Sequence, residues 1–210
     1  GTLALFTYFI TIKVLPLGTA VTIQYMSPIF TSIIGIYLLK EYVRSVQWLF
    51  FTISFLGVII IKGFNLDIPL NILLIGLVSA ISSGFAYNFV RRMKEKEDPV
   101  VVVLHFQLFG VVVGLFAAFF QWQMPTGVVW IQLLGIGILT QLGQINLTLA
   151  LQEEKLADVS ILNYLGVLYA IGFGILVFDE IYTFWTILGI LFIIGGVLLN
   201  YFYKQRLKPV

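Results

Sequence analysis

The chain of 210 residues is too hydrophobic for a soluble domain, because 60% of its residues are hydrophobic and only 10% are charged. Soluble domains carry about 25% charged residues, whereas the mean hydropathy here is +1.04. Apolar runs approaching the roughly 20 residues that cross a bilayer recur along the whole sequence. An integral membrane protein is therefore expected. The sequence contains no cysteine, which excludes disulfides and thiolate sites within it, and the net charge of +2 indicates little about partners.

The apolar runs predict eight helical segments. Short connections with turn or helix-breaking residues separate them, as at Asp98-Pro99 and Pro125-Thr126-Gly127. The predicted segments are 2–14, 19–39, 46–61, 70–90, 100–120, 127–149, 157–178 and 184–203. At 1.5 Å per residue the first segment is too short to span a bilayer. We therefore expect an all-α, polytopic membrane protein whose first helices precede Gly1.

The distribution of basic residues predicts the orientation. If odd-numbered segments run outward from the cytoplasm, only Lys13 and Lys62 of the 12 lysines and arginines lie outside. Lys and Arg in short loops favour the cytoplasmic side of a membrane. We expect a multi-pass protein with both ends of this chain in the cytoplasm.

A shift of 139 positions aligns the chain with itself. The matched residues include Tyr25 with Tyr164, Gly35 with Gly174, Glu41 with Glu180, and Gly57-Val58 with Gly196-Val197. Segments one to three then match segments six to eight, which predicts a repeat unit of five helices. Because five is odd, the second copy enters the membrane in the opposite orientation, as in many secondary transporters. The first repeat would keep its last three helices in residues 1–66, and the second would fill residues 67–206.

Two stretches resemble a known family. They are "LPLGTAVTIQYMSPIFTSIIGIYLLKE" at 15–41 and "LADVSILNYLGVLYAIGFGILVFDE" at 156–180, each followed by a tryptophan and a Gly-Val pair. This pattern is similar to the EamA-type transporters of the drug/metabolite transporter superfamily. Pro28 matches the mid-helix proline of that pattern, whereas Val167 replaces it in the second copy. The resemblance implies a permease of the inner (cytoplasmic) cell membrane, with ten helices in two inverted repeats, that moves small metabolites by alternating access. Two helices are then expected before Gly1.

The candidate substrate-binding residues are uncharged, because no acidic or basic residue lies near the middle of a predicted span. Amides inside spans are costly and become functional candidates, although interhelical hydrogen bonding is the alternative explanation. The 139-residue shift pairs Gln24 with Asn163 and Tyr25 with Tyr164. The tentative cavity-lining set is Gln24, Tyr25, Gln141, Gln144, Asn163 and Tyr164. Serines 79, 82 and 83 are weaker candidates of the same kind.

The two matched glutamates, Glu41 and Glu180, each follow an apolar helix. A carboxylate there can approach the amide end of the next helix, whose dipole favours a negative charge. We expect each glutamate to fix a tight hairpin, and a gating contact is the alternative.

The sequence favours a transporter that exports or takes up a small metabolite or an amino-acid-like solute. A lipid or lipid-linked sugar flippase of the same superfamily stays open as an alternative. A membrane-embedded enzyme is disfavoured, because such enzymes generally need paired carboxylates, a histidine cluster or an activated nucleophile, and this chain has one histidine and no cysteine. We expect no catalytic residue, metal, cofactor or nucleic acid. The expected partners are a small-molecule substrate and the lipid bilayer, and a homodimer is left open.

Overall fold

The computed structural model describes residues 1–40, 42–64, 68–94, 96–121, 123–152 and 156–206, without the side chains of 63–64, 120–121, 156–165 and 204–205. Every regular element within these ranges is an α-helix. The helices are α1 (Thr2–Ile12), α2 (Leu17–Gln24), α3 (Ser27–Leu38), α4 (Ser45–Phe64), α5 (Leu70–Arg92), α6 (Pro99–Gln121), α7 (Val128–Gln152), α8 (Leu156–Phe178) and α9 (Phe184–Arg206). The predicted all-α class is confirmed.

Six of the described helical segments are long and apolar enough to cross a membrane. They are Leu17–Leu38, Ser45–Lys62, Leu70–Arg92, Pro99–Phe119, Val128–Gln152 and Phe184–Tyr203. The first combines α2 and α3, so the predicted second segment is present but is not one continuous helix. It is interrupted at Tyr25 and Met26. The protein is a polytopic membrane protein, as its composition predicts.

The chain divides into two compact units. The large unit comprises Leu3–Asn88 and Ala157–Val210, and the small unit comprises Phe89–Leu156. Within the small unit, α6 and α7 pack against each other. Within the large unit, α4 and α9 form an extensive pair, and α2 also contacts α9.

The core of the large unit is apolar and joins four of its helices. Ile23 from α2, Ile61 from α4, Val167 from α8 and Ile193 from α9 are all fully buried. These side chains pack in one cluster with Met26, which lies at the interruption between α2 and α3. The interruption is therefore held inside the unit rather than at its surface.

Glycines bring the backbones of α4 and α9 into direct contact. A Cβ added at Gly57 would lie 2.5 Å from the carbonyl oxygen of Gly189. A Cβ added at Gly196 would lie 2.5 Å from the carbonyl oxygen of Phe50. Any larger residue would push the helices apart, and small residues are the usual device for such close packing of membrane helices.

The contacts between α4 and α9 are reciprocal under the 139-residue shift. The shift takes Gly57 to Gly196 and takes Phe50 to Gly189. The contact of Gly57 with Gly189 therefore has a counterpart, which is the contact of Gly196 with Phe50. A two-fold relation between repeats produces this exchange of partners, so the packing supports the repeat that the sequence predicts. The proposed repeat boundaries at 1–66 and 67–206 stay a prediction.

Candidate functional site

The site is built around the interruption between α2 and α3. At the end of α2 the N–H of Met26 donates to the carbonyl of Ile23 at 3.0 Å, which tightens the last turn. Pro28, in the first turn of α3, has no N–H to offer the carbonyl of Gln24. Interrupted helices of this kind, with backbone groups released inside the protein, form the substrate and ion sites of many secondary transporters.

Gln24, the last residue of α2, connects the interruption to α5. Its Nε2 donates to the hydroxyl of Ser83 at 2.7 Å, and its Oε1 accepts from the hydroxyl of Ser79 at 2.8 Å. Ser79 is fully buried, and Ser83 is 5% exposed. The Ser79 hydroxyl also lies 2.6 Å from the carbonyl oxygen of Ala4 in α1. The Gln24 amide thus joins α2 to α5, and the Ser79 hydroxyl lies between that amide and α1.

The polar contacts continue along the same face of α5. Ser79, Ser83 and Tyr87 are spaced four residues apart, which places them on one side of the helix. The Tyr87 hydroxyl hydrogen-bonds to Ser83 and to Ser27, the first residue of α3. We call Gln24, Ser27, Ser79, Ser83 and Tyr87 the Gln24 cluster. It offers an amide and four hydroxyls, which bind polar solutes by hydrogen bonds without carrying a charge.

Tyr25 extends the cluster toward α8. A Cβ added at Gly166 of α8 would collide with the hydroxyl oxygen of Tyr25, so the glycine leaves room for the Tyr25 side chain against α8. The predicted candidates Gln24 and Tyr25 therefore lie together at the junction of α2, α3, α5 and α8.

The other predicted candidates belong to the small unit or have side chains outside the described residues. Gln141 lies in the small unit, where its Oε1 accepts a hydrogen bond from Gln107. Gln144 is in the same helix and is half-buried. The backbones of Asn163 and Tyr164 belong to α8, but their side chains lie outside the described residues. The assignment of these four residues to a substrate cavity stays a prediction.

The sequence analysis does not single out Tyr87 or Ser27, and it gives Ser79 and Ser83 only as weaker candidates. The spacing Ser79-Ser83-Tyr87 was a usable signal, because three polar residues at intervals of four mark one face of a buried helix. Asn88 was missed as well. It is fully buried, and its Nδ2 donates to the carbonyl of Thr31 in α3 at 2.9 Å.

Glu180 binds a different helix from the one expected. Its carboxylate accepts the backbone N–H of Leu17, the first residue of α2, with Oε1 at 2.8 Å and Oε2 at 2.9 Å. The expectation that it caps the following helix, α9, is wrong for Glu180. The amide end of α2 lies nearer, because the chain turns back after α8 and Glu180 N–H donates to Gly174 at 2.9 Å. Glu41 lies outside the described residues.

Tyr182 completes this contact. Its hydroxyl accepts the N–H of Gly18 at 3.0 Å and donates to Oε2 of Glu180. Burial, assisted by the hydrogen bond to Glu180, raises the pKa of Tyr182 to about 12. The phenol therefore stays protonated at physiological pH and remains a donor to the carboxylate. We call Glu180, Tyr182 and the N–H groups of Leu17 and Gly18 the Glu180 latch.

Comparison with known families identifies what kind of protein carries this arrangement. The model of the EamA-like transporter family matches residues 1–63 and 70–202. The two matched ranges together cover most of the chain.

Individual relatives carry transporter names. The chain is 28% identical to the pseudopaline exporter CntI of Pseudomonas aeruginosa over 203 residues, which cover 95% of this chain and 72% of the relative. It is 27% identical to solute carrier family 35 member G1 of Homo sapiens, with 93% of this chain and 58% of the relative covered. A transporter of unknown role from Helicobacter pylori is also 27% identical, with 95% of this chain and 70% of that relative covered.

Proposed function

Because the chain belongs to the EamA-like transporter family, we propose that it moves a small, water-soluble metabolite across the inner membrane by alternating access. This family is a drug/metabolite transporter group whose members serve membrane transport. Export is the proposed direction, and an amino-acid-like solute is the proposed class. One of its relatives is named as an exporter of pseudopaline, and others are named as transporters or solute carriers.

The Gln24 cluster is the observation that carries this proposal. An uncharged set of amide and hydroxyl groups lies at an interrupted helix, with Ser27, Ser79 and Ser83 buried and Gln24 half-buried. Buried polar groups in a membrane protein must be satisfied by hydrogen bonds. In the resting structure Gln24 bonds Ser79 and Ser83, and a hydrogen-bonding solute can replace those partners at modest cost. Transport needs this property, because a site must release its substrate as readily as it binds it.

The proposal is tested with the full-length protein in proteoliposomes. We expect uptake of at least one ¹⁴C-labelled common amino acid above the level of protein-free liposomes. Gln24→Ala should lower the transport efficiency about 10-fold, because a substrate loses one or two hydrogen bonds of about 1 kcal/mol each. Gln123→Ala removes the same group from the exposed connection between α6 and α7 and should leave transport unchanged.

Two results would contradict the proposal. Equal transport by the Gln24→Ala and Gln123→Ala proteins would show that the Gln24 cluster does not bind the solute. Translocation of a fluorescent phospholipid, with none of the amino acids moved, would replace the metabolite carrier with the lipid flippase.

A further inference from the structure

We propose that the Glu180 latch is the outer gate of the transport cycle, with Glu180 and Tyr182 as gating residues that must release α2 for the substrate path to open. The inference rests on the proposed function. The gate is shut in this structure, since the four groups of the latch are joined by hydrogen bonds.

The latch ties the two predicted repeats together. Leu17 and Glu180 are 163 residues apart, and each lies in a different repeat. Both carboxylate oxygens of Glu180 face a single N–H, and the hydroxyl of Tyr182 holds the next N–H along the chain. Hydrogen bonds to an ionised carboxylate are roughly twice as strong as neutral ones. Alternating access requires contacts between repeats that are strong enough to hold one state and few enough to be released.

Two glycines and a turn of the backbone make room for the side chains of the latch. A Cβ added at Gly18 would lie 2.9 Å from the Tyr182 hydroxyl, and one added at Gly174 would collide with both latch side chains. Asp179 adopts a positive φ of 52°, which turns the chain after α8 so that Glu180 follows with its N–H on Gly174. Aspartate is one of the few residues other than glycine that adopts this backbone readily, so it suits the turn.

The helix held by the latch is the helix that carries the substrate site. α2 has eight residues; Leu17 is its first residue and Gln24 is its last. At 1.5 Å per residue the two ends lie about 10 Å apart. Pro16 precedes α2, and the interruption at Tyr25 follows it, so α2 is a short helix set off from its neighbours at both ends. Coupling between two sites needs an element with two arrangements that both sites influence. α2 is that element, because Glu180 holds one end and the Gln24 cluster holds the other.

The test compares two carboxylates that are neighbours in the sequence. Glu180→Ala removes the latch, whereas Asp179→Asn removes a charge of equal size from an exposed side chain. Asparagine tolerates positive φ, so the control keeps the turn. The full-length proteins are studied in lipid nanodiscs by hydrogen–deuterium exchange of the Leu17 and Gly18 amides. We expect exchange about 10- to 100-fold faster in Glu180→Ala, as the loss of hydrogen bonds to a charged group implies, and unchanged exchange in Asp179→Asn.

A second measurement detects opening of the gate without any substrate. Thr19 is fully buried in the first turn of α2, and the described part of the structure gives its hydroxyl no hydrogen-bond partner, so Thr19→Cys is a mild change. In a full-length background without other cysteines, a membrane-impermeant thiol reagent is applied to the outer face of sealed vesicles. Labelling should be about 10-fold faster when Glu180→Ala is combined with Thr19→Cys, corresponding to about 1.4 kcal/mol in the opening equilibrium. Tyr182→Phe should give a smaller increase.

The outcomes separate the gate from the proposed function. Faster exchange and faster labelling in Glu180→Ala, with neither in Asp179→Asn, support the gate. Faster exchange with unchanged labelling would make the latch a structural cap and would overturn the gate, as would unchanged exchange. A wild-type protein that transports no amino acid and no other metabolite contradicts the proposed function alone, because exchange and labelling are measured without substrate.

Discussion

The hydroxyl of Ser54 in α4 donates to the backbone carbonyl of Ile193 in α9 at 3.1 Å, and these residues are 139 positions apart. That separation equals the shift that aligns the chain with itself, so Ser54 bonds its counterpart in the predicted repeat. A contact of this kind is expected on a two-fold axis between two such repeats. The glycine contacts described for Gly57 and Gly196 lie on either side of it in the sequence of each helix.

The reciprocal packing predicts equal effects from matched substitutions. Gly57→Ala and Gly196→Ala each force a Cβ against a backbone carbonyl of the other helix. Each should lower the free energy of unfolding by about 1–3 kcal/mol, the usual cost of overpacking. Thermal unfolding of the purified full-length protein in detergent measures both.

The control for this pair is Gly110→Ala in α6, where an added Cβ meets no atom of the described structure within 4 Å. That protein should be as stable as the wild type or slightly more stable, since alanine favours helix by about 1 kcal/mol. A large loss for one of the two matched glycines and none for the other would contradict the reciprocal packing.

A buried amide pair also stabilises the contact between α4 and α9. Gln47 is 1% exposed, and its Nε2 donates at 2.7 Å to Oδ1 of Asn200, which is 4% exposed. Gln47→Leu should destabilise the protein by about 1–2 kcal/mol, because it leaves the buried side-chain carbonyl of Asn200 without its donor from Gln47. The double substitution with Asn200→Leu should recover part of that loss, and a double-mutant cycle in detergent measures the coupling.

Thr52→Val provides the comparison for the amide pair, because the exposed Thr52 hydroxyl bonds only within its own helix, to the carbonyl of Trp48 at 2.9 Å. Its effect on stability should be negligible. If the two single substitutions at Gln47 and Asn200 simply add in the double mutant, the hydrogen bond contributes nothing to stability.

The interruption at Pro28 is expected to be needed for transport and to reduce stability. Pro28→Ala supplies the N–H that the carbonyl of Gln24 lacks, which favours one continuous helix through α2 and α3. We expect an unchanged or higher melting temperature together with a several-fold lower transport rate in proteoliposomes. Pro125→Ala, in the connection between α6 and α7, should change neither quantity. Full transport by Pro28→Ala would mean that α2 need not move separately.

Serine-to-alanine substitutions in α5 should affect transport according to the position of the serine, although each removes the same hydroxyl group. Ser83→Ala removes the hydroxyl that accepts the Gln24 amide, whereas Ser82→Ala removes one from the neighbouring, half-buried position. We expect Ser83→Ala to raise the KM for the transported solute several-fold and Ser82→Ala to leave it near the wild-type value. Equal KM values for both variants would remove α5 from the substrate site.

Much of the architecture could be predicted because it depends on local patterns. The helical segments follow from runs of apolar residues, and the repeat follows from matched residues such as Gly57 and Gly196. Gln24 and Tyr25 were selected as scarce polar residues inside a span, and the structure places both at an interrupted helix. The function of these two residues still awaits experiment.

The long-range partners could not be predicted, because no local pattern encodes them. The sequence predicts that Glu180 caps the adjacent helix, yet its partner, Leu17, lies 163 residues away. A sequence pattern shows that a carboxylate follows a helix, but only the three-dimensional path decides which amide end lies nearest. The position of the interruption could not be predicted either. Pro28 shows where a backbone hydrogen bond is lost, but it does not show at which residue α2 ends.

The contact between the backbones of α4 and α9 also limits which parts of the protein can move. Packed helices usually slide on a layer of side chains that change rotamer, and at Gly57 and Gly196 that layer is missing. We therefore expect α4 and α9 to move as one body. If the proposed transport cycle rocks one predicted repeat against the other, this pair should be the part of the protein that changes least.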